Sequence, residues 1–167
     1  PSTTQYRDYT LPGGENYREH LMTLPVPTKT VVDVARGFGT KEVLNREGTY
    51  NSPHFEEPNI LAHFRTTDRT DAEGKRTLFV EEIQSDWHQA GRRQGYKGLS
   101  PEPGMRKTLT GFRPEVDRRV VNAPFKTSWP ELAFKRILRL AADEGYERVA
   151  WTPGSVQAPR YGLGEAQ

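Results

Sequence analysis

Residues 76–93 read RTLFVEEIQSDWHQAGRR. An apolar run, Thr77-Leu78-Phe79-Val80, passes straight into two adjacent carboxylates, Glu81 and Glu82. Ile83-Gln84-Ser85-Asp86 follows, then Trp87-His88-Gln89 and the paired Arg92 and Arg93. The first half reads as a strand, because β-branched and aromatic side chains fit a pleated surface. Ser85 or Asp86 suits an N-cap, so the second half predicts a helix over 86–94. A strand end is a rigid place from which to present polar groups, and a functional site is expected here.

Upstream, Pro58-Asn59 launches a second strand over Ile60–Asp68. Asp71-Ala72-Glu73-Gly74 fits a type I turn with glycine in the left-handed bulge position, which pairs Asp71 with Lys75. That register sets Arg65 opposite Glu81, Phe64 opposite Glu82 and His63 opposite Ile83. Ile60, Ala62, Phe64, Leu78 and Val80 then make a core face, while His63, Arg65, Glu81 and Ser85 share the other. A slip of one residue would bring Glu82 near His63. In either register the two glutamates face opposite ways.

Further out, residues 1–14 are polar and end in the turn signal Leu11-Pro12-Gly13-Gly14. Asn16–Leu24 alternates as a strand, with Tyr17, Glu19, Leu21 and Thr23 on one face and Arg18, His20, Met22 and Leu24 on the other. Within Thr28–Pro53, Val31, Val32, Val34 and Phe38 suit either a short helix or a strand. Ser128-Trp129-Pro130-Glu131 is a capping box with proline in the first turn. Phe134, Ile137, Leu138 and Ala141 continue it as an apolar stripe, and Gly145 closes the helix. Tyr146–Thr152 is a further strand. The reading is a single α+β domain over 1–167. Its sheet is mainly antiparallel and centred on the hairpin of residues 60–85, with the helices near 86–94 and 129–144 packed on it. Residues 97–123, with no sustained periodicity, predict a flexible insertion. The ends, PSTTQ and GLGEAQ, suggest a fragment of a longer protein.

Composition narrows the classes. Fifteen glycines, 13 prolines and 34% hydrophobic residues describe a polar, loop-rich chain with a modest core. Mean hydropathy is −0.83, and no run approaches a membrane span. The net charge of +2 implies little by itself about nucleic acid. Local clusters (Arg92-Arg93, Arg106-Lys107, Arg118-Arg119, Lys135-Arg136) leave such a partner open. With no cysteine there is no disulfide framework, thiolate metal site or thiol nucleophile.

Glu81 or Glu82 is the candidate general base, since a carboxylate desolvated on a sheet face suits proton abstraction near neutral pH. The alternative is a cross-strand ion pair of Arg65 with Glu81. His63 beside either glutamate would be a base oriented by an acid. Arg65, Gln84, Ser85, Asp86 and His88 are the groups expected to hold a substrate. Glu82-Ile83-Gln84 after a hairpin is also similar to half of a metal-dependent nuclease site, whose partner Asp should lie on the neighbouring strand, whereas Asp68 and Asp71 sit near or in the turn. No histidine pair has the short helical spacing of a zinc motif, and no metal is expected.

Residues 54–92, 123–154 and 156–161 resemble a module of very large multidomain phage and prophage proteins, often called polyvalent proteins. That resemblance implies a virion or ejection protein acting in host takeover, found in the virion or the host bacterial cytoplasm. Its partners would be the other domains of the same polypeptide, or a host protein. A second resemblance is to the acetyl-coenzyme A-dependent N-acetyltransferase superfamily, in the order hairpin, basic turn, helix, strand and Ala158-Pro159-Arg160-Tyr161. It implies Glu81 or Glu82 as base, Tyr161 as the acid that protonates the departing thiolate, and a small-molecule amine as acceptor. Arg92-Arg93-Gln94-Gly95 would be the turn that holds the pyrophosphate of acetyl-coenzyme A on backbone N–H groups at a helix start.

Overall fold

Strand pairing and turn chemistry shape most of the described chain. The computed structural model describes residues 6–26, 28–33, 39–44, 48–99 and 103–152. In chain order these form a 3-10 turn (Arg7–Tyr9), β1 (Glu15–Thr23), β2 (Thr28–Asp33), β3 (Gly39–Leu44), β4 (Ile60–Thr70) and β5 (Arg76–Gln84). Then come α1 (Asp86–Gln94), β6 (Met105–Thr108), β7 (Gly111–Pro114), α2 (Trp129–Asp143) and β8 (Arg148–Trp151). The class is α+β with a mostly antiparallel sheet. Four strands lie in the order β1-β4-β5-β8; β4 and β5 are antiparallel, and β8 runs parallel to β5. The ambiguous stretch after Thr28 is a hairpin, β2 against β3. Val34 and Phe38 lie outside the described residues. Among the described residues no helix is long and apolar enough to cross a membrane.

The chain divides into two compact units, each discontinuous in sequence: residues 1–21, 63–84 and 130–167, and residues 22–62 and 85–129. In the first, the β4–β5 turn forms as its residues dictate. Asp71 Oδ1 accepts the N–H groups of Glu73 and Lys75, both at 2.9 Å, and Gly74 takes φ 78°. From Thr70↔Arg76 to Thr66↔Val80 the register is the expected one, but a bulge between Arg65 and Thr66 shifts it by one residue. Beyond it Arg65 faces Glu82, Phe64 faces Ile83 and His63 faces Gln84. Phe64, Leu78 and Val80 are buried here, and Ile60 and Ala62 are buried in the second unit; the other face of β4 does not alternate to water, since Leu61, His63, Arg65 and Thr67 are buried as well.

α2 belongs to this unit and buries Ala133, Ile137, Leu140 and Ala141. The stripe is rotated from the expected one: Leu140 replaces Leu138, which is 45% exposed. Residues 133, 137, 140 and 141 recur at i, i+4, i+7 and i+8, so Leu138 falls on the flank. Phe134, half-buried, meets the ring of Trp151 edge-on at 5.7 Å. Replacing Ile137 by alanine is expected to cost about 2–5 kcal/mol, against under about 1 kcal/mol for Leu138. Urea unfolding of the two variants checks the order; equal losses would mean that the helix is rotated from this face.

In the second unit α1 supplies Trp87 and Ala90 to a core with Tyr50, Tyr96 and Ala123. The rings of Tyr50 and Trp87 stack at 5.0 Å. Asn59, buried at φ 57°, ties the loop by accepting the Tyr50 N–H at 2.8 Å and donating to the Pro25 carbonyl at 3.2 Å. The two ends of the 97–123 stretch are tied to this unit. Lys97 N–H donates to the Val120 carbonyl at 2.8 Å, Trp87 Nε1 to the Val121 carbonyl at 2.7 Å, and Ala123 is buried. Between these anchors projects the β6–β7 ribbon.

Candidate functional site

The β-bulge decides what the two glutamates do. Along β4 the odd-numbered Arg65, Thr67 and Arg69 share a face, and the extra residue in β5 turns both Glu81 and Glu82 toward it. The expectation that the glutamates face opposite ways is therefore corrected. Glu81 has 0% exposure. Its Oε1 accepts from the Thr67 hydroxyl at 2.9 Å and from Arg69 Nη2 at 3.3 Å, while Oε2 accepts the Leu11 N–H at 3.1 Å. Glu82, not Glu81, takes Arg65: Nε and Nη2 both lie 2.8 Å from its Oε2. Both arginines also reach the N-terminal segment. Arg65 Nη1 donates to the Tyr6 carbonyl at 3.1 Å, and Arg69 donates to the carbonyls of Pro12 and Leu11 at 2.9 and 3.0 Å. This polar lead-in is thus clasped onto the sheet by buried charge.

His63, with Gln84 as its register partner, is buried. Asp68 lies opposite Leu78, on the even-numbered face of β4, away from Glu81 and Glu82. The two acids of the nuclease-like reading are therefore not brought together. Asp68 instead accepts from the Tyr146 hydroxyl and pairs with Arg18 at 3.3 Å. Burial works against its charge, yet the Tyr146 and Asn16 hydrogen bonds and the nearby arginines hold its carboxyl below the usual range. Among the described residues no three His, Asp or Glu side chains are grouped to hold a metal ion. Tyr161 lies outside the described residues.

The remaining candidates fall in the second unit. Ser85 caps α1 by accepting the His88 N–H at 3.2 Å, and its hydroxyl donates to the Leu61 carbonyl at 2.6 Å. His88, fully buried, has Nδ1 2.9 Å from the Tyr96 hydroxyl and stacks on Trp129 at 6.2 Å. Ser85 and His88, expected to face a substrate, are instead sealed in the core. Arg92, Arg93 and Gln94 are exposed in the last turn of α1, and Gly95 is its C-cap at φ 83°. The groups left over at a helix end are carbonyls, so this turn lacks the N–H cradle of a pyrophosphate site.

Asp86 alone of the predicted group heads a cluster. Its Oδ2 accepts the Ser52 hydroxyl at 2.6 Å and lies 3.0 Å from His54 Nδ1. The Ser52 hydroxyl in turn accepts the His54 N–H at 3.0 Å, so a two-residue turn aims the imidazole at the carboxylate. The His54 side chain is 42% exposed, whereas that of Asp86 is 11%. A carboxylate that orients an accessible imidazole can support acid–base work. The sequence reading missed Ser52 and His54; the Ser-Pro-His spacing was its only signal.

Burial, reinforced by Lys126 and Arg92, pushes His88 down to about 4 from 6.5. A base depressed in the fold stabilises fully above its unfolded value, and that contribution is lost as pH falls through the folded one. Acidification from about 6.5 to 4 should therefore remove roughly 3 kcal/mol. Urea midpoints at stepped pH check this; a flat profile across that window, or one unchanged in His88→Asn, would contradict it.

No protein-family model, no curated protein and no solved structure matches this chain.

Proposed function

We propose that the chain is a non-catalytic binding or structural module of a large phage-encoded multidomain protein. The observation that supports it is Glu81: fully buried, with both oxygens engaged by Thr67, Arg69 and Leu11. A general base must come within about 3 Å of a substrate proton, and a carboxylate so enclosed has no approach for one. The resemblance to polyvalent-protein modules supports the context, with the other domains of the polypeptide as partners and the virion or host cytoplasm as location.

A second reading is an N-acyltransferase-like enzyme using acetyl-coenzyme A. It draws support from the Asp86–His54 pair, because a base must take the proton that an attacking amine sheds. Isothermal titration of the chain with acetyl-coenzyme A separates the two. No binding up to about 1 mM, near −4 kcal/mol, is the expected result. Micromolar binding that Arg92→Glu weakens would favour the enzyme instead, and turnover lost in His54→Ala would place the base at His54.

A further inference from the structure

From the β6–β7 ribbon we infer a docking element for double-stranded DNA, which goes beyond the function proposed above. Every residue of the two strands except Thr108 is exposed, so neither face is buried against a core. A two-stranded hairpin alone is marginal in water, and this one carries a further burden. Its register sets Arg106 directly opposite Arg113. Like charges facing each other across a ladder are destabilising, yet neither arginine has an ion-pair or hydrogen-bond partner among the described residues. Residues 103–119 hold Arg106, Lys107, Arg113, Arg118 and Arg119 against Glu115 and Asp117, a local charge of five minus two, +3. Asp117 is already paired with Arg119 at 3.0 Å, which leaves Glu115 as the one other acid of residues 103–119 against the ribbon's Arg106, Lys107 and Arg113.

The opposite face mixes Lys107 with the apolar Met105, Phe112 and Pro114, and Leu109 stands at the tip. Lys107 pairs across to Phe112, and Met105 to Pro114. Phe112 is 67% exposed, Met105 58%, and Leu109 at the turn is fully exposed. An uncompensated arginine pair calls for a dense, regular anion. Duplex DNA offers one charge per about 1.7 Å of axis, far denser than an acidic protein surface. Its major groove, about 12 Å wide, admits a two-stranded ribbon, and apolar side chains at such a tip meet thymine methyls or wedge between base steps. Leu109 at the tip and Phe112 would meet the bases, while Arg106 and Arg113, on the ribbon's other face, would bend their long side chains back to the flanking phosphates.

The test is fluorescence anisotropy of the full chain with a labelled duplex of about 20 base pairs, between about 50 and 200 mM salt. Two cations on phosphates predict a slope of log K against log salt near −2. Arg106→Glu with Arg113→Glu should weaken binding at least about tenfold and flatten the slope by about 2, with circular dichroism unchanged. Leu109→Ser with Phe112→Ser should weaken binding several-fold at an unchanged slope. The inference is overturned if the duplex does not bind below about 100 μM at low salt. It is equally overturned if the double arginine reversal leaves binding intact, or if single-stranded DNA or polyglutamate binds as tightly as the duplex; the last would identify an acidic protein partner.

Discussion

Glu81→Gln is expected to destabilise the first unit by about 3 kcal/mol and to release the N-terminal segment from the sheet. Glutamine keeps the shape of the side chain but removes its charge and turns one acceptor oxygen into an NH2 donor, so one of the donors now held by Glu81 is left facing another donor. In the native chain Glu81 holds the Leu11 N–H, and it orients Arg69 toward the carbonyls of Leu11 and Pro12. Removing one member of a buried pair leaves the other without compensation, which is why the loss exceeds that of an exposed pair. Arg69 is stacked over Phe79 at 4.3 Å and cannot swing into water freely. Two readouts check the prediction: a lower urea midpoint, and faster amide exchange across residues 6–13 than in the parent. A loss under about 1 kcal/mol would mean that Glu81 is not a clasp, and would reopen its candidacy as a base.

Gly91→Ala should destabilise the second unit by about 2–4 kcal/mol, although helix propensity by itself promises a gain near 1 kcal/mol. A Cβ at position 91 would lie 2.0 Å from Cζ of Tyr96 and 2.3 Å from its hydroxyl oxygen. The Tyr96 ring has no easy retreat. His88 meets its hydroxyl, the Lys126 ammonium sits 4.9 Å from its ring centre, and its flanking backbone is bridged to Val120. The ring must leave the core or α1 must shift, and either forfeits packing on the scale of a large-to-small change. A double-mutant cycle isolates the clash. In a Tyr96→Ala background, Gly91→Ala should become neutral or slightly stabilising. If it stays equally harmful there, the contact with Tyr96 is not its cause.

Several elements were legible because their determinants are local. The Asp71–Gly74 turn, the Ser85 cap and the strand from Glu15 each depend on residues within a few positions, although β1 shows no alternation of burial along Tyr17–Met22. α2 was equally plain as a helix, but its buried face was not. Leu138 and Leu140 are interchangeable to a periodicity argument, and only the surface α2 meets chooses between them. The β2–β3 hairpin stayed ambiguous because its apolar run is too short for periodicity to tell strand from helix.

The candidate site shows the same division more sharply. Sequence alone concentrated polar groups at the end of β5 and the start of α1, and the chain does place acids, serine and histidine there. It could not reveal a bulge without a glycine to mark it, and that one extra residue exchanges the partners of Arg65 and turns both glutamates to a single face. Nor could it show that the groups on the two sides of Gln84 belong to different compact units. Residue types and local spacing determined that β4, β5, α1 and α2 form and roughly where each begins, but not β2, β3, β6 and β7. Which carboxylate meets which arginine, and which histidine is buried and which reaches water, was decided by contacts between residues far apart in the chain. Those contacts exist only once desolvation forces every buried charge to find a partner.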